Sequence, residues 1–539
     1  ITDVGRVDGA ARRVIDAAGA LVTPGFVDMH THYDGQATWD HSLSPSSWHG
    51  VTTVVFGNCG VGFAPVVPEH RDRLVELMEG VEDIPGTALH EGLSWEWEDF
   101  RGYLDALDAL PHDVDLAAQV PHSALRLHVM GERGARRDPA TADEIEQMAA
   151  LARDAVLAGA FGFTTSRTLN HRTSRGEPTP TLTADANELA GIAMGLREAG
   201  RGVLQVVSDY LDVDAEFAVF REMVRRSGRP LSMSLSQAAT GGTTYRKVLD
   251  FTSEMSAEGV PVRVQVAARA VGVILGLRCT VNPFVTNPVY RELAALPLAE
   301  RVARMRRPEV KEQILAAHRV GDRFIDRFTA MFEMAELPDY EPAAADSVAA
   351  KAAREGREPV ELAYDLLLGD DGKALLYMPF LNYGDGNLDA VGEMLRHPNS
   401  LPGLSDGGAH VGTICDASFP TSLLTWWCRD RPTGRLEIED VIRRQCRGTA
   451  AWLGMLDRGV LAPGYRADVN VIDFDGLRLH RPDMAYDLPA GGKRFLQRAD
   501  GYLHTFVAGT ETYAGGEATG AFPGRLVRGP QPAPASTAG

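Results

Sequence analysis

Two histidines spaced two residues apart are the first feature of this sequence that could do chemistry. His30 and His32 close the segment GFVDMHTH at residues 25–32, where an apolar run precedes them. If that run is a β-strand, alternate side chains leave from one face, so both imidazoles can reach the same metal ion. The pair could equally be ordinary polar residues at a strand end, because the motif is short. Its meaning therefore depends on where the strand lies in the fold.

Strand-like and helix-like segments alternate along the chain after this pair. Runs rich in β-branched residues precede longer helical ones at residues 51–56 and 71–78, 203–207 and 215–226, and 231–235 and 245–257. Such alternation is typical of parallel β/α units, and a closed TIM-like barrel of the α/β class is the commonest arrangement at this length. Barrel enzymes keep catalytic groups at the carboxyl ends of their strands, where the sequence places His30 and His32.

The predicted barrel occupies residues 25–454 and is flanked by strand-rich termini. Residues 1–24 and 455–528 carry short apolar runs separated by turn residues. Residues from about 285 to 384 are helical and charged, and they predict an insertion that covers one end of the barrel. Residues 529–539 are rich in proline, alanine and serine, which predicts a disordered tail.

Composition excludes several classes of function. The 539 residues include 73 acidic and 54 basic ones, and the net charge of −19 argues against a nucleic-acid partner. The five cysteines include no CxxC pair, which predicts free thiols, a reducing compartment and a cytoplasmic protein. We find no apolar run long enough for a membrane helix and no signal peptide, so no membrane association is predicted. A homo-oligomer is also expected.

Six motifs then follow one another in a recognisable order. They are PGFVDMHTHYD (24–34), GVTTVVFGNCG (50–60), HSALRLHVMG (122–131), GAFGFTTS (159–166), LSDGGAH (404–410) and LAPGYRADVNVID (461–473). In this combination the chain resembles the amidohydrolase superfamily and, within it, the N-acyl-D-amino-acid deacylases or D-aminoacylases. The resemblance implies a β/α barrel with a small β-sandwich assembled from both chain termini. It also implies metal-dependent hydrolysis of a C–N bond, other than a peptide bond, in a small-molecule amide.

Cys59 and Asp406 take their predicted roles from this resemblance. Cys59 stands in a Gly-flanked turn after a β-branched strand, where a lone cysteine is more often a small buried hydrophobe. D-aminoacylases look to use a cysteine in this GNCG-like position as a zinc ligand. Asp406 matches the aspartate at the end of the last barrel strand, which binds the ion and acts as the catalytic acid and base. His30, His32, Cys59 and Asp406 are thus expected to hold one Zn²⁺ or another divalent ion.

Two histidines of the D-aminoacylase pattern are missing. Ser208 and Leu235 stand where that pattern has them, and Gln237 replaces a lysine expected to face the substrate. Lys247 does not fit a strand end, so no lysine is a candidate for carbamylation. The sequence therefore predicts a single-ion enzyme. A cyclic amide or imide hydrolase is one alternative, and a catalytically silent homologue that binds a small acidic ligand or a protein is another.

Further polar residues follow the predicted strands and are candidates for the substrate site. His122 could assist catalysis by placing a hydrogen-bond donor near the substrate carbonyl. Alternatively, it is a strand-end histidine whose ring hydrogen-bonds to the backbone. The predicted substrate-binding residues are Arg126, Arg167, His171, Arg172, Gln265, Arg269 and His410. Planar guanidinium groups can bind a carboxylate, although the loop at 167–175 could equally be a solvated basic loop. His410 either caps the site or faces water.

Overall fold

A computed structural model of the chain describes residues 1–7, 9–318 and 326–535. Its strands are β1 (Leu21–Pro24), β2 (Phe26–Asp28), β3 (Val51–Phe56), β4 (Asp115–Ala118), β5 (Val120–Pro121), β6 (Gly162–Arg167), β7 (Val203–Ser208), β8 (Leu231–Leu235), β9 (Val262–Val266), β10 (Val271–Gly276), β11 (Phe332–Glu333), β12 (Leu375–Leu381), β13 (Ser400–Pro402), β14 (Val469–Ile472), β15 (Arg478–Leu479), β16 (Asp483–Leu488), β17 (Gly492–Leu496), β18 (Ala499–Asp500), β19 (Tyr502–Val507), β20 (Thr510–Ala514) and β21 (Glu517–Ala518).

The α-helices of the described residues follow the strands along most of the chain. They are α1 (Arg71–Glu82), α2 (Gly86–Gly92), α3 (Phe100–Ala109), α4 (His122–Met130), α5 (Glu132–Ala135), α6 (Ala142–Ala158), α7 (Ala186–Ala199), α8 (Val213–Ser227), α9 (Thr244–Ala257), α10 (Pro288–Ala294), α11 (Leu298–Met305), α12 (Pro308–Ala317), α13 (Val348–Glu355), α14 (Pro359–Leu367), α15 (Asp389–Arg396), α16 (Phe419–Ser422), α17 (Ile438–Arg443) and α18 (Thr449–Trp452). Among them, none is long and apolar enough to cross a membrane.

Two parallel sheets join into a closed barrel. One has the order β2-β3-β4, and the other has the order β13-β9-β8-β7-β6-β5. β4 and β5 act as one strand interrupted at Gln119, whose N–H donates to the Phe56 carbonyl at 2.9 Å. The first and last strands meet where Thr31 and Gly407 form a parallel bridge, and the His32 N–H donates to the Gly407 carbonyl at 2.8 Å. The predicted β/α barrel is thereby confirmed.

Local signals explain why these segments form β/α units. Every residue of β3 is buried, as expected for a β-branched parallel strand covered on both faces. α7 begins where the Asp185 carboxylate accepts from the Glu188 N–H, and it ends at Gly200 with a left-handed φ of 70°. The alternation predicted from the sequence therefore corresponds to real strands and helices.

A five-stranded antiparallel sheet, ordered β1-β14-β19-β20-β21, connects the two ends of the chain. Leu21 lies opposite Ile472 in the pairing of β1 with β14. The N-terminal contribution is shorter than the predicted residues 1–24, because residues 1–7 and 9–20 form no strand. Val14, for example, is 82% exposed, so this segment buries little apolar surface that could order it.

The insertion is a subdomain that begins earlier than predicted. β10 pairs antiparallel with β12, which also pairs with β11, and α10 to α14 lie between β10 and β12 in the chain. A separate core that includes Leu275, Ile314, Tyr364 and Met378 holds these elements together. The start therefore moves from about residue 285 to Val271, because β10 pairs with a strand about one hundred residues away.

The C-terminal tail returns to the barrel instead of leaving it. The Gly529 N–H donates to the Gly159 carbonyl at 2.8 Å, and the Gln531 N–H donates to the Gly454 carbonyl at 2.9 Å. The prediction that disorder begins at residue 529 is therefore wrong for these residues. The part of that prediction covering residues 536–539 lies outside the described residues.

Candidate metal centre

Three predicted ligands come together at the carboxyl end of the barrel. His30 and His32 follow β2, Cys59 follows β3, and one donor atom from each lies within 4.8 Å of the others. All three side chains are buried. The His30 Nε2 atom lies 3.3 Å from the Cys59 Sγ atom. Two nitrogens and a sulfur in so small a volume are a donor set typical of zinc.

Asp406 approaches the same point from the last barrel strand. Its Oδ1 atom lies 3.3 Å from His30 Nε2 and 3.8 Å from His32 Nε2. Ligands at about 2.1 Å around a tetrahedral ion stand roughly 3.4 Å from one another. Oδ1 is buried and has no hydrogen-bond partner among the described residues. An unsatisfied carboxylate oxygen at this spacing fits a divalent ion.

The electrostatics of the centre also fit a cation. Burial raises the pKa of Asp28, Asp34 and Asp406 to about 7 each. Burial raises the pKa of the Cys59 thiol well above its usual value, and nearby acids, Asp406 first, raise it further. Burial lowers the pKa of His30 to about 4, so its imidazole is neutral. A divalent ion would offset the cost of ionising the acids and take the neutral imidazole as a ligand.

A hydrogen bond orients the His30 imidazole, and a buried acid lies beside the His32 imidazole. The His30 Nδ1–H donates to Gln265 Oε1 at 2.5 Å, and the Gln265 amide donates to Ser232 Oγ at 3.0 Å. This tautomer leaves the Nε2 lone pair of His30 facing the centre. His32 Nδ1 lies 3.2 Å from Glu82 Oε1. Gln265 therefore supports a ligand, which corrects its predicted role in substrate binding.

Glu82 is a site residue that we did not predict from the sequence. It ends α1 and is only 1% exposed, alongside the buried Leu74, Met78 and Val81 of the same helix. Its second oxygen lies 3.7 Å from His410 Nε2. A glutamate within the apolar stripe of a helix is the signal that could have identified it, since buried charges are normally paired or bound to metal.

We expect Glu82→Gln to weaken zinc binding by roughly 10- to 100-fold, because carboxylates beside ligating histidines hold the ring and raise its basicity. Competition with a chromophoric chelator measures this affinity. Glu79→Gln, one turn earlier on the same helix and bonded to the Gly86 N–H, is the matched control. An unchanged zinc affinity in Glu82→Gln would show that this carboxylate does not act on His32.

Strained backbone is concentrated around the centre. Cys59, Leu404, Asp406 and His410 all have left-handed φ values, between 49° and 58°. Each such non-glycine residue costs roughly 1–2 kcal/mol, and strain of this kind persists where the surrounding structure holds it. Gly57 precedes Cys59 with a φ of 80°, and a Cβ there would lie 2.2 Å from the Gln119 carbonyl. The turn that presents Cys59 therefore requires glycine at this point.

His122 does not fit its predicted catalytic role. It is fully buried at the start of α4, where Nδ1 lies 2.9 Å from Thr165 Oγ1 and Nε2 lies 2.9 Å from Glu188 Oε1. Arg126 donates to both oxygens of Glu188 at 2.5 and 2.6 Å. Because both ring nitrogens and this guanidinium are engaged by protein groups, His122 and Arg126 form a structural network.

The other predicted arginines also have protein partners. Arg167 forms a bidentate pair with Glu216, with the shortest contact at 2.6 Å. Arg172 is exposed and donates to two backbone carbonyls. Arg269 is 2% exposed and lies 3.1 Å from Asp416. The guanidinium groups of Arg167 and Arg269 are therefore engaged by acidic partners, which corrects the prediction for these two residues.

His171 and His410 lie close enough to the centre to interact electrostatically with His32, and their role in substrate binding stays a prediction. His171 Nδ1 lies 2.9 Å from Ser166 Oγ. Burial, followed by the nearby His410 and His30, lowers the pKa of His171 to about 3. Burial lowers the pKa of His410 to about 4, again with help from His30. Two neutral imidazoles therefore lie within electrostatic reach of the proposed ion.

The positions with missing histidines hold no replacement ligand. Leu235 ends β8 and is 1% exposed, while Ser208 ends β7 and donates to Glu216 Oε2 at 2.8 Å. Over residues 1–7, 9–318 and 326–535, one cluster of three or more His, Cys, Asp or Glu residues has its donor atoms within 4.8 Å of one another. It consists of His30, His32 and Cys59. The number of ions bound per chain stays a prediction.

The chain is similar in sequence and in structure to known proteins. The sequence pattern of the amidohydrolase family matches residues 13–513. A structure of D-aminoacylase, from a study of its binuclear metal centre, is 25% identical with a TM-score of 0.62, covering 98% of this chain and 94% of that chain. N-acyl-D-glutamate deacylase from Bordetella bronchiseptica, solved with zinc and a phosphonate inhibitor, is 24% identical with a TM-score of 0.60, covering 95% and 90%. D-aminoacylase of Alcaligenes xylosoxydans xylosoxydans is 39% identical over 158 residues, 29% of this chain and 30% of that protein.

The barrel, the donor cluster and these matches define a metal-dependent enzyme that hydrolyses C–N bonds other than peptide bonds. The chain belongs to the amidohydrolase family. It is similar to the D-aminoacylases over nearly its whole length, which confirms the resemblance found in the sequence.

Proposed function

We propose that the chain deacylates a small N-acyl amide with one divalent ion, zinc, held by His30, His32, Cys59 and Asp406. The observation that carries the proposal is the unpartnered Oδ1 of Asp406, which lies within 4 Å of both imidazoles. A nitrogen, sulfur and oxygen donor set suits zinc better than magnesium or calcium. The relatives named as D-aminoacylase and N-acyl-D-glutamate deacylase support an N-acyl substrate.

The residues around the ion have different proposed roles in hydrolysis. When bound, the ion supplies Lewis-acid polarisation of the carbonyl and a more acidic water. Asp406 accepts the proton of the attacking water and delivers it to the leaving nitrogen, a role open to a carboxylate whose Oδ1 has no hydrogen-bond partner among the described residues. Gln265 holds the His30 imidazole in place by a hydrogen bond, and the Glu82 carboxylate lies 3.2 Å from the His32 imidazole. His171 and His410 contribute neutral polar groups near the substrate.

Metal analysis combined with activity tests this proposal. We expect about one zinc ion per chain and zinc-dependent hydrolysis of N-acyl amino acids or their amides, because the described donors form one cluster. Chelation should remove the ion and the hydrolysis together, and added zinc should restore both. A chain that stays folded and metal-free in the presence of zinc would instead support a silent homologue, and hydrolysis limited to cyclic imides would support that alternative.

We also propose a cytoplasmic location. All five cysteines are free thiols in the structure, at positions 59, 279, 415, 428 and 446. Free thiols without disulfides are typical of reducing compartments, which supports this location. Fractionation of cells that express the native gene, followed by immunoblotting, tests it.

A further inference from the structure

The ligand turn, residues 57–60, presents the sulfur of Cys59 to the metal centre. Cys59 has a φ of 55° and a ψ of 17°, which is a left-handed conformation. A non-glycine residue in this conformation is strained, so contacts with the surrounding structure must stabilise it. Only one rotatable bond separates the backbone of a cysteine from its sulfur. The groups that hydrogen-bond to the ligand turn therefore decide where the sulfur lies.

Gln205 hydrogen-bonds to the ligand residue itself. It lies on β7 and is 1% exposed, and its Oε1 atom accepts from the Cys59 N–H at 3.1 Å. Its Nε2 atom donates to Ser234 Oγ on β8 at 3.3 Å. Because a backbone N–H can only donate, the contact with Cys59 fixes which end of the Gln205 amide is the oxygen. The side chain therefore connects β8 to the ligand turn, which follows β3 on another part of the barrel.

The same pattern of contacts occurs at a second ligand. Gln265 on β9 bonds to the His30 ring through Oε1 and donates to Ser232 Oγ on β8 through Nε2. Ser232 and Ser234 stand two positions apart on β8, so both side chains leave the strand on one face. β8 supplies no ligand, but its serines brace one glutamine for each of two ligands. The repeat of this pattern indicates that both glutamines serve the metal centre.

Other contacts hold the two sides of the ligand turn. The Asn58 side-chain amide donates at 3.2 Å to the carbonyl of Thr31, which stands between the two predicted histidine ligands. The Gly60 N–H donates to Thr164 Oγ1 on β6 at 3.0 Å. The N–H of the ligand residue between them is bonded to Gln205. Loss of the Gln205 oxygen would therefore release the residue that carries the sulfur, while both neighbours stay held.

We infer that Gln205 is a positioning residue of the metal centre: it holds the Cys59 backbone in the conformation that directs the thiol to the ion. Gln205 acts through Cys59, and its own amide is used by the N–H of Cys59 and by Ser234. This inference rests on the proposed zinc site and deepens it, because it assigns the position of the sulfur to one hydrogen bond from β7.

The zinc affinity of two variants at this position tests the inference. Gln205→Leu keeps much of the side-chain volume but removes the acceptor, so we expect zinc binding to weaken by about 10- to 100-fold. Gln205→Glu keeps an acceptor oxygen and should stay within about threefold of the wild type. Gln497→Leu is the matched control, at a fully buried glutamine that donates to Tyr340 and His480, and it should leave the affinity unchanged. Competition with a chromophoric chelator measures these affinities.

A double-mutant cycle shows whether the effect runs through the sulfur. If Gln205 acts by placing Cys59, Gln205→Leu should change zinc affinity by less than about threefold in a Cys59→Ser background. An equal loss in both backgrounds would mean a general effect on the barrel interior and would overturn the inference. Cobalt gives a second readout, because a bound thiolate produces a sulfur-to-cobalt charge-transfer band. Per bound cobalt, this band should weaken in Gln205→Leu and persist in Gln497→Leu.

Hydrogen exchange separates this inference from the proposed function. With and without zinc, the Cys59 amide should exchange at least about tenfold more slowly in the wild type than in Gln205→Leu. Unchanged exchange, or unchanged zinc affinity in Gln205→Leu, overturns the inference and leaves the zinc site standing. A wild type that binds no zinc counts against the proposed function, and the exchange rates still decide whether Gln205 holds Cys59. If Gln205→Leu does not fold, Ser234→Ala replaces it and should weaken zinc binding at least about threefold, because it removes the brace on the amide; an unchanged affinity there overturns the inference.

Discussion

Replacing Asp406 with asparagine is expected to lower kcat by about a thousandfold or more, equivalent to about 4 kcal/mol of transition-state stabilisation. The amide oxygen can still approach the ion, but the side chain can no longer accept and return a proton. Its Oδ1 contacts with His30 and His32 concern binding, so the ion content should fall much less than the rate. Single-turnover kinetics and metal analysis of the same sample measure both effects.

Asp105→Asn is the matched control for this variant. Asp105 lies on α3, is 63% exposed and pairs with Arg528 at the surface, so the same substitution there should leave kcat unchanged. If Asp406→Asn keeps more than about a tenth of the wild-type kcat with full metal content, another group carries the proton. His171 and His410, which lie near the centre, would then be tested in turn.

Cys59→Ser is expected to weaken zinc binding at least about 100-fold, which is about 2.8 kcal/mol, and to abolish hydrolysis at low zinc concentration. Zinc readily deprotonates a coordinated thiol, whereas a serine hydroxyl resists ionisation and is a poor ligand. The left-handed backbone at Cys59, with a φ of 55°, presents the side chain regardless of which atom it carries. The loss should therefore come from the donor and not from the turn.

Equilibrium dialysis against buffered zinc measures this affinity, with Cys428→Ser as control. Cys428 is a partly buried free thiol outside the donor cluster, so its substitution should leave both the zinc content and the rate unchanged. Cys59→Ser with full zinc content at nanomolar free metal would remove the sulfur from the ligand set. His30, His32 and Asp406 would then form a site of three protein ligands.

The sequence alone was sufficient for the class of fold and for the four candidate ligands. Strand and helix periodicity is a local property, so β3 with α1 and β8 with α9 could be recognised from neighbouring residues. His30 and His32 are two positions apart, and a strand necessarily directs both to one face. Cys59 and Asp406 needed the ordered motifs of a family, because nothing close to them in the chain shows that they meet His30.

The tertiary structure alone decided which polar groups are free. His32 meets Glu82 from fifty residues away, and Arg269 meets Asp416 from almost one hundred and fifty. A guanidinium or an imidazole looks the same in the sequence whether it is free or paired, since pairing depends on which distant strand ends the barrel brings together. For that reason the sequence could list His122, Arg126, Arg167 and Arg269 as candidates, but only the fold showed that each of them is already paired with an acidic residue.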